Sequence, residues 1–125
     1  MSDSEAQAMW LRDEFMAASN ARDLKTYSAT FNYPSVRIAG GRVVILDGPD
    51  SHRPDMFDWL AALGWHYSRW DHHKVIHASD EKIHFDTRFS RYRQDGSKIG
   101  SYDSLYVVTK QADHWGIQAR SSFAP

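Results

Sequence analysis

The sequence predicts an α+β domain, a curved antiparallel sheet with three helices on its concave face, and three observations predict it. Apolar residues recur at helical spacing early in the chain. After Gly64 that spacing gives way to strand-like alternation. Three turn signals, Asp80-Glu81, Asp95-Gly96 and Ala112-Asp113, then divide the rest into four long runs, a four-strand meander. Helices before strands, without βαβ alternation, is α+β order.

The elements follow in order. Residues 4–19 carry Ala8, Met9, Leu11, Phe15, Met16 and Ala18 near helical spacing, with Ser4 as N-cap and Asn20 as stop. Residues 23–30 form a second helix capped by Asp23, with Leu24, Tyr27 and Phe31 returning on one side, so the two helices make a hairpin. Pro34 breaks helical geometry, and Val36-Arg37-Ile38 and Val43-Val44-Ile45-Leu46 flank Gly40-Gly41 as a short N-terminal β-hairpin. Residues 54–63 place Met56, Phe57, Trp59, Leu60 and Leu63 on a third helix that Gly64 ends.

Composition bounds the function classes. A length of 125 residues suits one domain, here 1–125, with 42% hydrophobic and 14% aromatic residues to fill a core. Fifteen basic against sixteen acidic residues leave a formal charge of −1, so no net field draws the chain to nucleic acid or to an anionic membrane. No Cys is present, the start lacks the pattern of a signal peptide, and no apolar run is long enough to span a bilayer, so a cytoplasmic location is expected.

Two-residue turns set the register, and the register sets the faces. Around Asp80-Glu81, Ala78 faces Ile83, Ile76 faces Phe85, His72 faces Phe89 and Trp70 faces Arg91. Around Asp95-Gly96, Phe89 faces Tyr102, Thr87 faces Ser104, Phe85 faces Tyr106 and Ile83 faces Val108. Around Ala112-Asp113, Val108 faces Ile117, Tyr106 faces Ala119, Ser104 faces Ser121 and Tyr102 faces Phe123. The three turns agree in parity and put the apolar set on one inner face. Asp71, His73, Val75, His77, His84, Arg88, Asp103, Leu105, Val107, Arg120 and Ser122 fall on the outer face. A β-bulge in any long strand would exchange the faces locally and bring Asp71 or Arg120 inward.

The helix hairpin with Phe15-Met16-Ala17-Ala18-Ser19-Asn20-Ala21-Arg22-Asp23-Leu24, the third helix, and a meander ending in Ser104-Leu105-Tyr106-Val107-Val108-Thr109 and Trp115-Gly116-Ile117-Gln118-Ala119-Arg120-Ser121-Ser122-Phe123 resemble the nuclear transport factor 2-like superfamily, closest to its SnoaL-like members. The resemblance implies a cone-like sheet around a deep pocket for a small apolar or carbonyl-containing molecule. It also implies a homodimer through the outer sheet face. The chemistries it implies are those of isomerases, cyclases, dehydratases and hydrolases, with noncatalytic binders as the alternative.

The candidate site rests on the inner face. His72 and Arg91 are its notable polar residues, one able to shuttle protons and the other to grip a carboxylate or enolate, and together they are the catalytic expectation. The bland alternative has Arg91 reaching solvent from a strand end and His72 bonding its neighbours beneath Trp70. Trp70, Thr87, Tyr102, Ser104, Tyr106 and Ser121 are the ligand-binding expectation, though hydroxyls paired across strands also serve as ordinary sheet filling. The inner face holds no Asp or Glu, so a general-base carboxylate would have to enter from Glu14, Asp47 or Asp50. No metal is expected: His72 and His73 point to opposite faces, His73 and His77 lie roughly 13 Å apart along a strand, and His77 facing His84 is a solvated pair. No Gly-rich phosphate loop or other cofactor signature is present, so no cofactor is expected.

Overall fold

A computed structural model describes residues 2–125. Helix α1 spans Asp3–Asn20 and opens with a capping box: Ser2 accepts from the Glu5 backbone at 3.1 Å while Glu5 accepts from the Ser2 backbone at 3.2 Å. Ser2, two residues ahead of the expected Ser4, is therefore the cap. Helix α2 spans Leu24–Ala29 behind Asp23, which accepts from the Thr26 backbone. Strands β1 (Phe31–Ala39) and β2 (Arg42–Leu46) form the expected hairpin, and Gly40 and Gly41 take positive φ at its two turn positions. A 3₁₀ turn at Pro49–Ser51 leads to α3, Met56–Ala62. Strands β3 (Tyr67–Ala78), β4 (Lys82–Tyr92), β5 (Lys98–Gln111) and β6 (His114–Ser122) complete the chain.

The six strands form one curved, unclosed sheet in the order β2-β1-β6-β5-β4-β3. Every neighbouring pair is antiparallel except β1 and β6, which run parallel. That contact joins the N-terminal hairpin to the meander. It requires a close approach at Gly116, where a β-carbon would stand 2.6 Å from the Asn32 amide nitrogen and 2.7 Å from the Phe31 carbonyl carbon. Asn20, the last residue of α1, docks the edge strand β3 much as a seventh strand would: its amide donates to the Ser68 carbonyl at 2.9 Å and accepts from the Ser68 amide at 2.8 Å.

The core sits between α1 and the concave face. Phe15, Tyr27, Phe31, Phe85 and Tyr106 are buried there, and Phe15 meets the rings of Tyr27, Phe31 and Tyr106 at 5.1, 5.9 and 5.9 Å. Full burial of one such side chain contributes about 1.5–3 kcal/mol. Arg12 is 0% exposed among them. Its guanidinium lies 4.3, 4.5 and 4.6 Å from the rings of Trp70, Phe85 and Tyr106 and donates to the Thr87 hydroxyl at 2.8 Å. Burial holds its pKa down at about 10.

The β4–β5 register is the expected one throughout the apolar set. Elsewhere bulges intervene. The β3–β4 ladder slips between Trp70 and His72 and again between Val75 and His77, and the β5–β6 ladder slips between Val107 and Val108. Trp70 therefore faces Phe89, Val75 faces Phe85, Tyr106 faces Arg120 and Ser104 faces Ser122. Each slip exchanges the faces of the residues beyond it. No helix among the described residues is long and apolar enough to cross a membrane.

Candidate functional site

The concave face and the helices enclose a cavity of about 650 Å³. Its walls come from every layer: Phe15 and Met16 of α1, Tyr27 of α2, Val44 of the hairpin, Phe57 of α3 and Trp70 of β3. Rings and aliphatic chains dominate, as in sites that take an organic molecule of drug size.

The charged side chains in that wall are all arginines. Arg37, Arg91 and Arg120 reach it from β1, β4 and β6, while Arg42 and Arg53 stand in the hairpin and before α3. Arg53 is bound to Asp55 at 3.0 Å. The other four form no ion pair among the described residues. Aromatic faces hold two of them: Arg91 lies 5.3 Å from the Tyr102 ring and 5.7 Å from Phe89, and Arg120 lies 5.2 Å from Phe31 while donating to the Tyr27 hydroxyl at 3.4 Å. Burial, then the neighbouring Arg120 charge, lowers the Arg37 pKa, and burial first of all lowers that of Arg91. No Asp or Glu among the described residues lines the cavity; Glu14, Asp47 and Asp50 all lie outside it.

His52 adds a neutral polar group. It is buried between the rings of Phe31 (4.8 Å) and Tyr27 (5.5 Å), and its Nε2 lies 2.9 Å from the Tyr33 hydroxyl. That hydroxyl donates to the Ser28 carbonyl at 2.6 Å, so it accepts from His52. The imidazole proton thus sits on Nε2, and Nδ1 keeps its lone pair. Burial, helped by Arg120, pushes the His52 pKa down to about 4.

The structure divides the expected site residues. Arg91, Trp70 and Tyr106 line the cavity. His72 does not: the bulge at Ile76, between the turn and His72, turns it to the outer face, where its side chain is 50% exposed and lies 3.7 Å from Asp86, and the second bulge at Asp71 returns Trp70 inward. The expected pairing of His72 with Arg91 is corrected by the single extra residue at Ile76. His73 turns inward instead and stacks on Trp70 at 5.6 Å. Thr87 faces inward but is spent on Arg12, and Ser104 is spent on Ser122 at 3.1 Å. Tyr102 packs on Phe89 at 5.5 Å beneath Arg91 without lining the cavity. Ser121, opposite Leu105 beyond the β6 bulge, faces outward, and the same slip turns Arg120 inward. Asp71 stays outside and accepts from Ser90 at 2.6 Å. His77 and His84 face each other as the register predicts, with Nδ1 atoms 3.1 Å apart, and no group of three metal-ligating side chains occurs among the described residues.

Arg37, His52 and Tyr27 were missed. Alternation along β1 carries a signal for Arg37, since Ser35, Arg37 and Ala39 share a face opposite Val36 and Ile38. His52 sits in a connection with no period, and only the fold brings it to Tyr33.

Known structures share this architecture. A protein of unknown function with a cystatin-like fold from Nostoc punctiforme superposes with a TM-score of 0.80 at 14% identity, over 100% of this chain and 93% of that one. A Catenulispora acidiphila protein in complex with S-DNPA gives 0.74 at 17% identity, over 95% and 91%. A ketosteroid isomerase-like protein from Erwinia carotovora atroseptica gives 0.68 at 16% identity, over 100% of both chains. No curated protein matches the sequence. A family model described as NTF2-like protein (DUF6841) matches residues 4–122, and with the sheet order and helix placement above it shows that the chain belongs to this NTF2-like family.

Proposed function

We propose that this NTF2-like domain binds a small organic molecule inside the concave face, and that binding rather than carboxylate-driven proton abstraction is its main task. The observation that carries the reading is the cavity of about 650 Å³ walled by rings and aliphatic chains without an Asp or Glu. Proton shuttling of the isomerase kind needs a base with a pKa near neutral. His52, held neutral with a pKa of about 4, is a weak base and a good hydrogen-bond acceptor at Nδ1, suited to orienting a ligand hydroxyl. The neutral dye N-phenyl-1-naphthylamine tests the reading. Its fluorescence should rise saturably on adding the protein and fail to do so with Leu60→Trp, which fills the cavity. A dye response that is unsaturable, or unchanged by Leu60→Trp, would refute it.

A second copy of the chain is the proposed partner, seated on the convex face. Register aligns Ile45, Val36, Ala119 and Val107 in one row across four strands, and Val43, Ile38, Ser121 and Leu105 in the next. Val43 is 64% exposed and Ile45 58%. Farther along, the face carries Arg88 bonded to Asp103 at 2.9 Å, a balanced pair that a two-fold copy can meet with opposite charges.

A further inference from the structure

The cavity concentrates positive charge in a chain whose formal charge is −1. Arg37 and Arg120 are aligned residues of the parallel β1–β6 pairing, and Arg91 reaches the same wall from β4. All three are half-buried, and none meets a carboxylate among the described residues. Unpaired charges of one sign, partly desolvated and close together, oppose folding. Neighbours do not relieve this: the Asp or Glu that would neutralise the cluster is absent from the wall, and the groups supplied are ring faces and tyrosine hydroxyls, which accept only part of the donor capacity of a guanidinium. A site that keeps three such cations without internal counter-charge is arranged for an anion brought from outside.

We propose, resting on the small-molecule reading above, that the ligand is an organic acid whose carboxylate is gripped by Arg91, Arg120 and Arg37 while its apolar body lies among Trp70, Phe57 and Met56. Guanidinium forks match carboxylates in two parallel hydrogen bonds, and the low-dielectric wall strengthens them. The apolar remainder excludes small inorganic anions as the main occupant, because they would leave the rings facing water. The cationic wall also focuses a field toward the mouth that draws anions in.

Isothermal titration with isosteric probes tests this on the intact chain. 2-Naphthoate should bind at least about tenfold more tightly than neutral 2-naphthylmethanol. That preference should shrink when salt is raised from about 0.05 M to about 0.5 M. Arg91→Met and Arg37→Met should weaken naphthoate far more than the alcohol, and neither should lower the melting temperature of the ligand-free protein, whereas purely structural arginines would lower it. Equal binding of acid and alcohol to the wild type overturns the organic-acid assignment and leaves the small-molecule reading standing. Tighter binding of 2-naphthyl phosphate than of naphthoate overturns the carboxylate in favour of a phosphate ester. Absence of binding by all three probes and by the neutral dye overturns the small-molecule reading itself.

Discussion

Arg37 and Arg120 stand side by side across the parallel β1–β6 pairing, two guanidiniums on the concave wall of one cavity with no carboxylate between them. Neither strand alone creates this arrangement. It needs the long-range docking of the hairpin onto the last strand and the bulge that turns Arg120 inward.

The docking depends on Gly116. A methyl group there would press on backbone atoms of Phe31 and Asn32, which have nowhere cheap to move. Gly116→Ala should destabilise the fold by about 1–3 kcal/mol, read as a lower midpoint in urea denaturation. An unchanged midpoint would mean that β1 and β6 are farther apart than described.

Arg12 and Thr87 should behave as a coupled pair. Arg12→Met removes the cation from its three rings and strands the buried Thr87 hydroxyl, while Thr87→Val removes the only hydrogen bond that the guanidinium makes among the described residues. Each single variant should cost about 1–3 kcal/mol, and the double variant should cost less than their sum by about 1 kcal/mol. Additive losses in a denaturation cycle would show that the contact carries no energy.

His52 should make stability depend on pH in the acid range. Its folded pKa of about 4 lies below the ordinary 6.5, so the unfolded chain binds more protons between those values. The stabilisation is complete above pH 6.5 and is lost as pH falls toward 4, by up to about 3 kcal/mol. His73, whose pKa burial also lowers, adds a loss of the same sign. His52→Gln should lose markedly less stability than the wild type between pH 7 and 4. Parallel curves would contradict the buried neutral imidazole.

The convex face should hold two copies together. Light scattering at micromolar concentration should give a dimer for the wild type and a monomer for Ile38→Glu or Leu105→Glu, which place charge in the row that Ile38 and Leu105 share with Val43. A wild-type monomer would remove the second copy.

Much of this architecture was legible before the structure. The Gly40-Gly41, Asp80-Glu81, Asp95-Gly96 and Ala112-Asp113 turns lie where the sequence puts them, and the expected β4–β5 register holds from Lys82 to Arg91, with a slip only between Arg91 and Tyr92 beside the turn. The faces of β3 and β6 were not legible, because a bulge has no residue signature and one extra residue exchanges every face beyond it. His72 and Ser121 were lost to the outer face in this way, while Arg120 was gained. Arg37 escaped for another reason: the β1–β6 pairing joins segments more than seventy residues apart, and no local period announces it.

A crystal structure with 2-naphthoate tests the central claim most directly. The account predicts density for the ring system between Trp70 and Phe57, with the carboxylate about 2.7–3.0 Å from guanidinium nitrogens of Arg91 or Arg120. Naphthoate seated on the convex face, or an empty cavity at saturating concentration, would contradict it.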